Sequence, residues 1–227
     1  MATSPRPRAG TKGIPRAVRE QQILAAATAE FGRHGYETTS LTAVAARVGV
    51  TKTLLHQYFG SKQDLYLACL EPVGDRLLGA IRDAMGPGEI TAPRTPLLVL
   101  HAVFTALEGR REAWFVLYDP SLPEGGEAAA RAAHYRAAID TLAATGTADL
   151  LRAAGSGGGI DGDPLGTAPL GTDPLDADAL KYAWRGLVTA LVRWWIQHPD
   201  QSPDAMAARC ARLFAALRAS LTAGGDL

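Results

Sequence analysis

The sequence predicts an all-α protein in two parts, an N-terminal three-helix helix-turn-helix unit followed by a helical bundle. Three observations predict it. Apolar residues recur with helical period: Leu180, Trp184, Leu187, Val188, Leu191 and Trp195 fall at offsets 0, 4, 7, 8, 11 and 15, and Met206, Cys210, Leu213, Phe214, Leu217 and Leu221 repeat that spacing. No segment alternates apolar and polar residues long enough to argue for a sheet. Basic charge is gathered at one end. Residues 1–62 hold nine basic side chains (Arg6, Arg8, Lys12, Arg16, Arg19, Arg33, Arg47, Lys52 and Lys62) against Glu20, Glu30 and Glu37, a net of +6 that the rest of this formally neutral chain balances with −6. A segment charged in this way is expected to face a polyanion.

Residues 1–15 read as a flexible basic arm, because the stretch is rich in Pro and Arg and no apolar period is present. The arm lacks the apolar stretch of a signal peptide, and no run in the chain is long enough to span a bilayer. Cys69 and Cys210 are isolated on apolar helical faces, which fits core thiols in a reducing compartment rather than a disulfide framework. These features predict a cytoplasmic protein without membrane attachment. Hydrophobic residues at 47% and charged residues at 20% are enough for a folded core.

The first helix is expected over 16–34, carrying Ile23, Leu24, Ala27 and Phe31 inward, with Gly35 as its stop. Ser40 is a good N-cap for a second helix whose stripe is Leu41, Val44, Ala45 and Val48, and Gly49 ends it in a left-handed conformation. Thr51 caps the third, which buries Leu55 and Phe59 and stops at Gly60. The stretch 39–58 is thus laid out as a helix-turn-helix, whose second helix presents Thr51, Lys52, Thr53, His56 and Gln57 and is narrow enough to enter the major groove. Ile23, Phe31, Leu41, Val44, Val48, Leu55 and Phe59 form its expected core.

Ser61 caps a fourth helix that runs to about Met85, with Asp64 closing a capping box and Pro72 inside, where a kink near Leu70 and Glu71 is expected. Gly86, Pro87 and Gly88 end it. Further helices are expected near 94–109, 110–118, 124–154, 177–198 and 202–222. The stretch 155–176 is rich in Gly, Pro and Asp, repeats Pro-Leu-Gly-Thr, and reads as a mobile loop. Asp161 and Asp163 lack the further oxygen ligands of a calcium loop, and the five histidines are scattered, so no metal or cofactor is expected.

The pieces Phe31, Gly35-Tyr36, Thr39-Ser40, Val44-Ala45, Gly49-Val50-Thr51, Leu55, Tyr58-Phe59, Ser61-Lys62 and Leu65 together resemble the TetR family of bacterial transcriptional regulators. The resemblance covers residues 16–76. It implies a DNA-binding domain over 16–76 and a ligand-binding and dimerisation domain over 77–227. The expected function is a transcriptional regulator, a repressor, that binds a palindromic double-stranded operator as a homodimer and is released by a small-molecule inducer. Three positions depart from the family pattern. Ala43 replaces an acid at the third position of the second helix, His56 replaces a phosphate-reaching Tyr, and Pro72 lies within the fourth helix.

Phosphate contacts are assigned to Ser40 and Thr51 at helix starts, to Tyr58 and Lys62, and to Arg16 and Arg19 at the start of the first helix. Base edges fall to Lys52, Thr53, His56 and Gln57, with His56 shared between base and phosphate. His101, Phe104, Trp114, Tyr118, His134, Tyr135 and Trp184 are the candidates for an inducer pocket, which predicts an apolar or aromatic inducer. The last two helices are expected to form a four-helix dimer interface through Leu187, Leu191, Trp195, Cys210, Leu213, Phe214 and Leu217. An enzyme is not expected, since the chain has no phosphate loop, nucleophile motif or metal-ligand cluster. The alternative is a helical partner-binding protein without operator binding.

Overall fold

The computed structural model describes residues 14–86, 95–155 and 174–223, with side chains as far as 146 in the seventh helix and 216 in the last. Every described element is a helix: α1 Arg16–Thr38, α2 Leu41–Val48, α3 Lys52–Phe59, α4 Lys62–Met85, α5 Thr95–Leu107, α6 Ala113–Leu117, α7 Glu127–Gly155, α8 Pro174–Gln197 and α9 Pro203–Ala223. Most of the expected basic arm (1–13) and of the expected loop (156–173) lie outside the described residues. Pro174 and Asp176, expected as loop, instead form the first turn of α8, where Pro loses no helical hydrogen bond and an acid complements the exposed N–H groups.

The N-terminal helices start and stop where local chemistry dictates. Ser40 Oγ accepts from Ala43 N, Thr51 Oγ1 from Leu54 N and Ser61 Oγ from Asp64 N, so each cap hydroxyl satisfies a donor that the helix cannot. Asp64 closes the capping box back onto Ser61. Gly49 adopts φ 71° and ψ 36°, the left-handed turn between α2 and α3. Gly35, expected as a stop, is a kink instead: at φ 79° and ψ 168° it leaves helical geometry, yet one more turn follows to Thr38. Ile23, Ala27, Phe31, Val44, Leu55, Leu65 and Tyr66 form the core beneath the motif. Val48 and Phe59, expected inside, are only half-buried at its edge.

One contiguous core runs from Ile23 and Phe31 to Trp195 and Met206. α4 is its axis and packs on α1, α5, α6 and α7, while α5 meets α9 and α7 meets α8. α4 continues as one helix through Pro72, which lies on its exposed side. Gly74 lets α7 come close: a Cβ there would fall 2.5 Å from the Tyr135 ring, whose hydroxyl donates to Asp75 at 2.7 Å. Arg111 holds the turn between α8 and α9. Its guanidinium stacks 4.0 Å from the Trp195 ring and donates to the carbonyls of Trp195, His198, Pro199 and Gln201 at 2.8, 3.2, 3.0 and 3.1 Å. Both cysteines are buried free thiols, and burial pushes that of Cys69 up to about 12.

The motif is fixed to the bundle along α1. At Gly32 a Cβ would sit 2.1 Å from the Glu112 carbonyl oxygen, so backbone meets backbone there, and Arg33 pairs with Glu112 at 2.6 Å beside it. Around the Gly35 kink, the buried Asp119 carboxylate accepts from Tyr36 N at 2.6 Å and from Tyr66 Oη at 3.3 Å through one oxygen. Its other oxygen accepts from Ser121 N at 2.8 Å and Ser121 Oγ at 2.7 Å. Ser121 Oγ in turn accepts from Glu37 N at 3.2 Å. A Cβ on Gly35 would meet Ser121 Oγ at 2.7 Å. The exposed end of α1 is therefore satisfied by the connection between α6 and α7, some eighty residues away in sequence.

Candidate nucleic-acid interface and ligand cleft

α3 has one buried anchor and one open side. Leu55 is 1% exposed, whereas Lys52, Thr53, His56 and Gln57 are all exposed and lie together along the helix. The anchor prevents rotation about the helix axis, so the four polar side chains stay outward. His56 Nδ1 lies 2.7 Å from the Gly60 carbonyl oxygen, which can only accept, so Nδ1 carries the proton. In the tautomer that this contact selects, Nε2 is the acceptor. That suits a base amino group better than a phosphate oxygen and narrows the role shared in the sequence reading.

The side chains expected on phosphates divide. Ser40 and Thr51 are exposed caps at the starts of α2 and α3. Arg16 is exposed, and its guanidinium lies 5.2 Å over the Tyr58 ring, which brings the start of α1 beside α3. Lys62 is half-buried; its Nζ donates to the Glu37 carbonyl at 3.1 Å and lies 4.7 Å over the Tyr36 ring. Burial lowers the pKa of Lys62, while Glu37 and Asp119 pull it back up. Arg19 is a correction. It is 5% exposed with Nη1 on Gln22 at 3.0 Å, so it is built into the wall of α1 rather than its outer surface. Arg47, exposed at the end of α2, pairs with the buried Glu30 of α1 and ties the motif's first helix down.

The pocket expectation needs more revision. Phe104 is fully buried, edge-on to Trp195 at 5.5 Å, and Tyr135 packs over Gly74; both are core. His101 bridges to Asp204 at 2.7 Å on the outside of the α5–α9 contact, and His134 is exposed on α7. Trp184 is half-buried, 6.2 Å from Phe214. None of these five lines the open cleft that α8 forms with the end of α6. That cleft is bounded by Tyr118, Tyr182, Arg185, Thr189 and Arg193, with Trp114 behind it, its ring centroid 4.5 Å from that of Tyr118 and tilted by 30°. Tyr182, Arg185, Thr189 and Arg193 are legible in the sequence as one face of α8 at offsets 0, 3, 7 and 11, although aromatic content alone does not single out the arginines.

The dimer expectation is also revised. Trp195 and Cys210 are 0% and 1% exposed within the single chain, held by Phe104, Arg111 and the α5–α9 contact, so neither can offer surface to a partner. Leu187, Leu191 and Phe214 are half-buried and Leu213 is half-exposed; the side chain of Leu217 lies outside those described. Among the described residues, no helix is long and apolar enough to cross a membrane.

Comparison with known proteins agrees with this geometry. Residues 23–69 match the family described as bacterial regulatory proteins, tetR family. The chain is 40% identical over 72 residues to the HTH-type transcriptional activator FasR of Mycolicibacterium smegmatis, a match covering 32% of this chain and 33% of that relative. The matches to curated relatives span between 25% and 50% of those proteins' length. Over the whole fold, a TetR-like transcriptional regulator from Rhodococcus sp. RHA1 superposes with a TM-score of 0.57 at 27% identity, covering 86% of this chain and 92% of the other. A TetR-family regulator from Bordetella parapertussis 12822 shares the fold with a TM-score of 0.65 at 23% identity, covering 88% and 95%.

Proposed function

Because this chain belongs to the TetR family of bacterial regulatory proteins, whose members are transcriptional regulators and not enzymes, we propose that it represses transcription from a palindromic operator as a homodimer. Release follows when a small molecule occupies the C-terminal bundle. The observation that carries this reading is α3: one apolar anchor, Leu55, and a contiguous exposed row of Lys52, Thr53, His56 and Gln57. A single motif of this size reaches few bases, so two copies set about one DNA turn apart, on the order of 34 Å, supply the required contact. Exposed Leu213 and half-buried Leu187, Leu191 and Phe214 on α8 and α9 are the apolar surface available for pairing. Cytoplasmic location follows from the role.

In this reading Lys52 takes guanine, Gln57 takes adenine and Thr53 offers its methyl to thymine, while His56 accepts from a base amino group. Ser40, Thr51, Tyr58, Lys62 and Arg16 meet phosphates and set the register. Gel-shift titrations at several salt concentrations, on an operator selected from random duplexes, test the assignment. Gln57→Ala should lose about 1–3 kcal/mol of discrimination at one base pair while keeping its affinity for unrelated DNA. Lys62→Ala should weaken binding to every sequence and reduce the salt slope by about 1. Unchanged binding in both variants would remove the basis for the reading. A promoter fusion reads the direction of control, and activation in place of repression would overturn that part.

A further inference from the structure

We propose that the cleft between α8 and the end of α6 binds a small organic anion, with its charge on Arg185 and Arg193 and its body against Tyr118 and Tyr182. The inference rests on the reading of the C-terminal bundle as the half that receives an effector, and it adds the effector's chemical class. The polar groups of the cleft divide into those already used and those left open. Thr189 is used twice: its hydroxyl accepts from Trp114 Nε1 at 3.1 Å and donates to the Arg185 carbonyl at 2.8 Å. These bonds fix the back wall. Arg185 is held by a long contact with Asp140, 3.4 Å, and by the Tyr182 ring, 4.5 Å away.

Two groups are left open. Arg193 touches the Phe115 ring at 5.4 Å but has no hydrogen bond or ion pair among the described residues. The Tyr118 hydroxyl likewise has no hydrogen-bond partner there, although its ring is half-buried and locked against Trp114. The charge balance has one sign. Arg136 and Arg185 both act on Tyr118 electrostatically, and Arg136, like Arg193, has no ion pair among the described residues. Asp140, 3.4 Å from Arg185, is the carboxylate that opposes them. A neutral apolar molecule would cover guanidinium groups and leave them unpaired, at a cost in desolvation; a cation would be repelled. A carboxylate, sulfonate or phosphate accepts from Arg193, Arg185 and Tyr118 together, and a flat body stacks on the two tyrosines. The sequence-based expectation of a purely apolar or aromatic effector is amended accordingly.

Calorimetric titration of the full chain with 1-naphthoate and with neutral 1-naphthamide, two probes of nearly equal shape, tests the proposal. The carboxylate is expected to bind at a single site per chain, about tenfold or more tightly than the amide. Arg193→Gln should abolish that preference, and Tyr118→Phe should reduce it. Arg193 is exposed, so its replacement leaves the fold intact, which circular dichroism verifies. Equal affinity for the two probes, binding of neither, or a preference that survives Arg193→Gln would each overturn the proposal. So would a change in oligomeric state on Arg193→Gln with the preference intact, since the cleft would then serve contact between copies. Gel shifts on the same preparations separate the two readings. Operator binding without an anion preference refutes this inference alone, and anion preference without operator binding refutes the proposed function alone.

Discussion

Asp119→Ala is expected to lower the free energy of unfolding by on the order of 4 kcal/mol and, under the proposed function, to abolish operator binding at concentrations where the parent saturates. The carboxylate is 3% exposed and accepts from Tyr36 N, Ser121 N and Ser121 Oγ, with the single Tyr66 proton shared between it and the Val116 carbonyl. Its removal leaves the half-buried backbone N–H groups of Tyr36 and Ser121 without their acceptor, and an unmet buried donor costs about 1–3 kcal/mol. The Tyr66 hydroxyl suffers less, because it still donates to the Val116 carbonyl at 2.6 Å. Asp119→Asn retains one oxygen and turns an amide group toward the other pair of donors, so its loss should lie between those of the parent and the alanine variant. Denaturant titration gives the stability order, and a gel shift below the unfolding transition gives the DNA effect. Equal stability of Asp119→Ala and parent would show that the carboxylate is not what fixes the end of α1.

Gly32→Ala is the second large effect. The added methyl would lie 2.1 Å from the Glu112 carbonyl oxygen, and neither α1 nor the turn before α6 can yield by moving a flexible side chain. Relief requires the two backbones to part, which should cost about 3 kcal/mol and break the Arg33–Glu112 pair beside them. Gly79→Ala is the matched control. It lies within α4, a Cβ there meets nothing within 4 Å, and the substitution should stabilise by roughly 0.5–1 kcal/mol because alanine favours helix. If both substitutions shift the unfolding midpoint alike, close approach at Gly32 is not the operative factor.

The N-terminal helices were legible because their signals are local. Ser40, Thr51 and Ser61 each precede an apolar stripe, Gly49 follows one, and each does in space what it announces in sequence. The corrected positions depend on distant partners. Arg19 looks like a first-turn cation until α1 is packed, after which its own helix and neighbours cover it. Trp195 and Cys210 lie on apolar stripes that fit a partner chain as well as a core, and only the position of α5 decides between the two. The cleft escaped because a charged row on a helix reads as a solvated face unless another element closes one side of it. Tyr118, from α6, closes this one. Asp119-Pro120-Ser121 carried a turn signal, and the Ser121 N contact is that turn. Nothing near it in the sequence pointed to Gly35.

The seam at Gly35 also changes how such a regulator can be cut and rejoined. An engineer grafting this reading head onto a foreign sensor would choose a splice after α4 and carry over the first four helices. The graft would leave Tyr36 and Glu37 facing whatever loop the new host supplies at that spot. A working hybrid must therefore also inherit the short Asp119–Ser121 corner, and Glu112 with it, as a second, discontinuous transplant. The transferable module is defined by its hydrogen-bond closure, not by a contiguous stretch of gene.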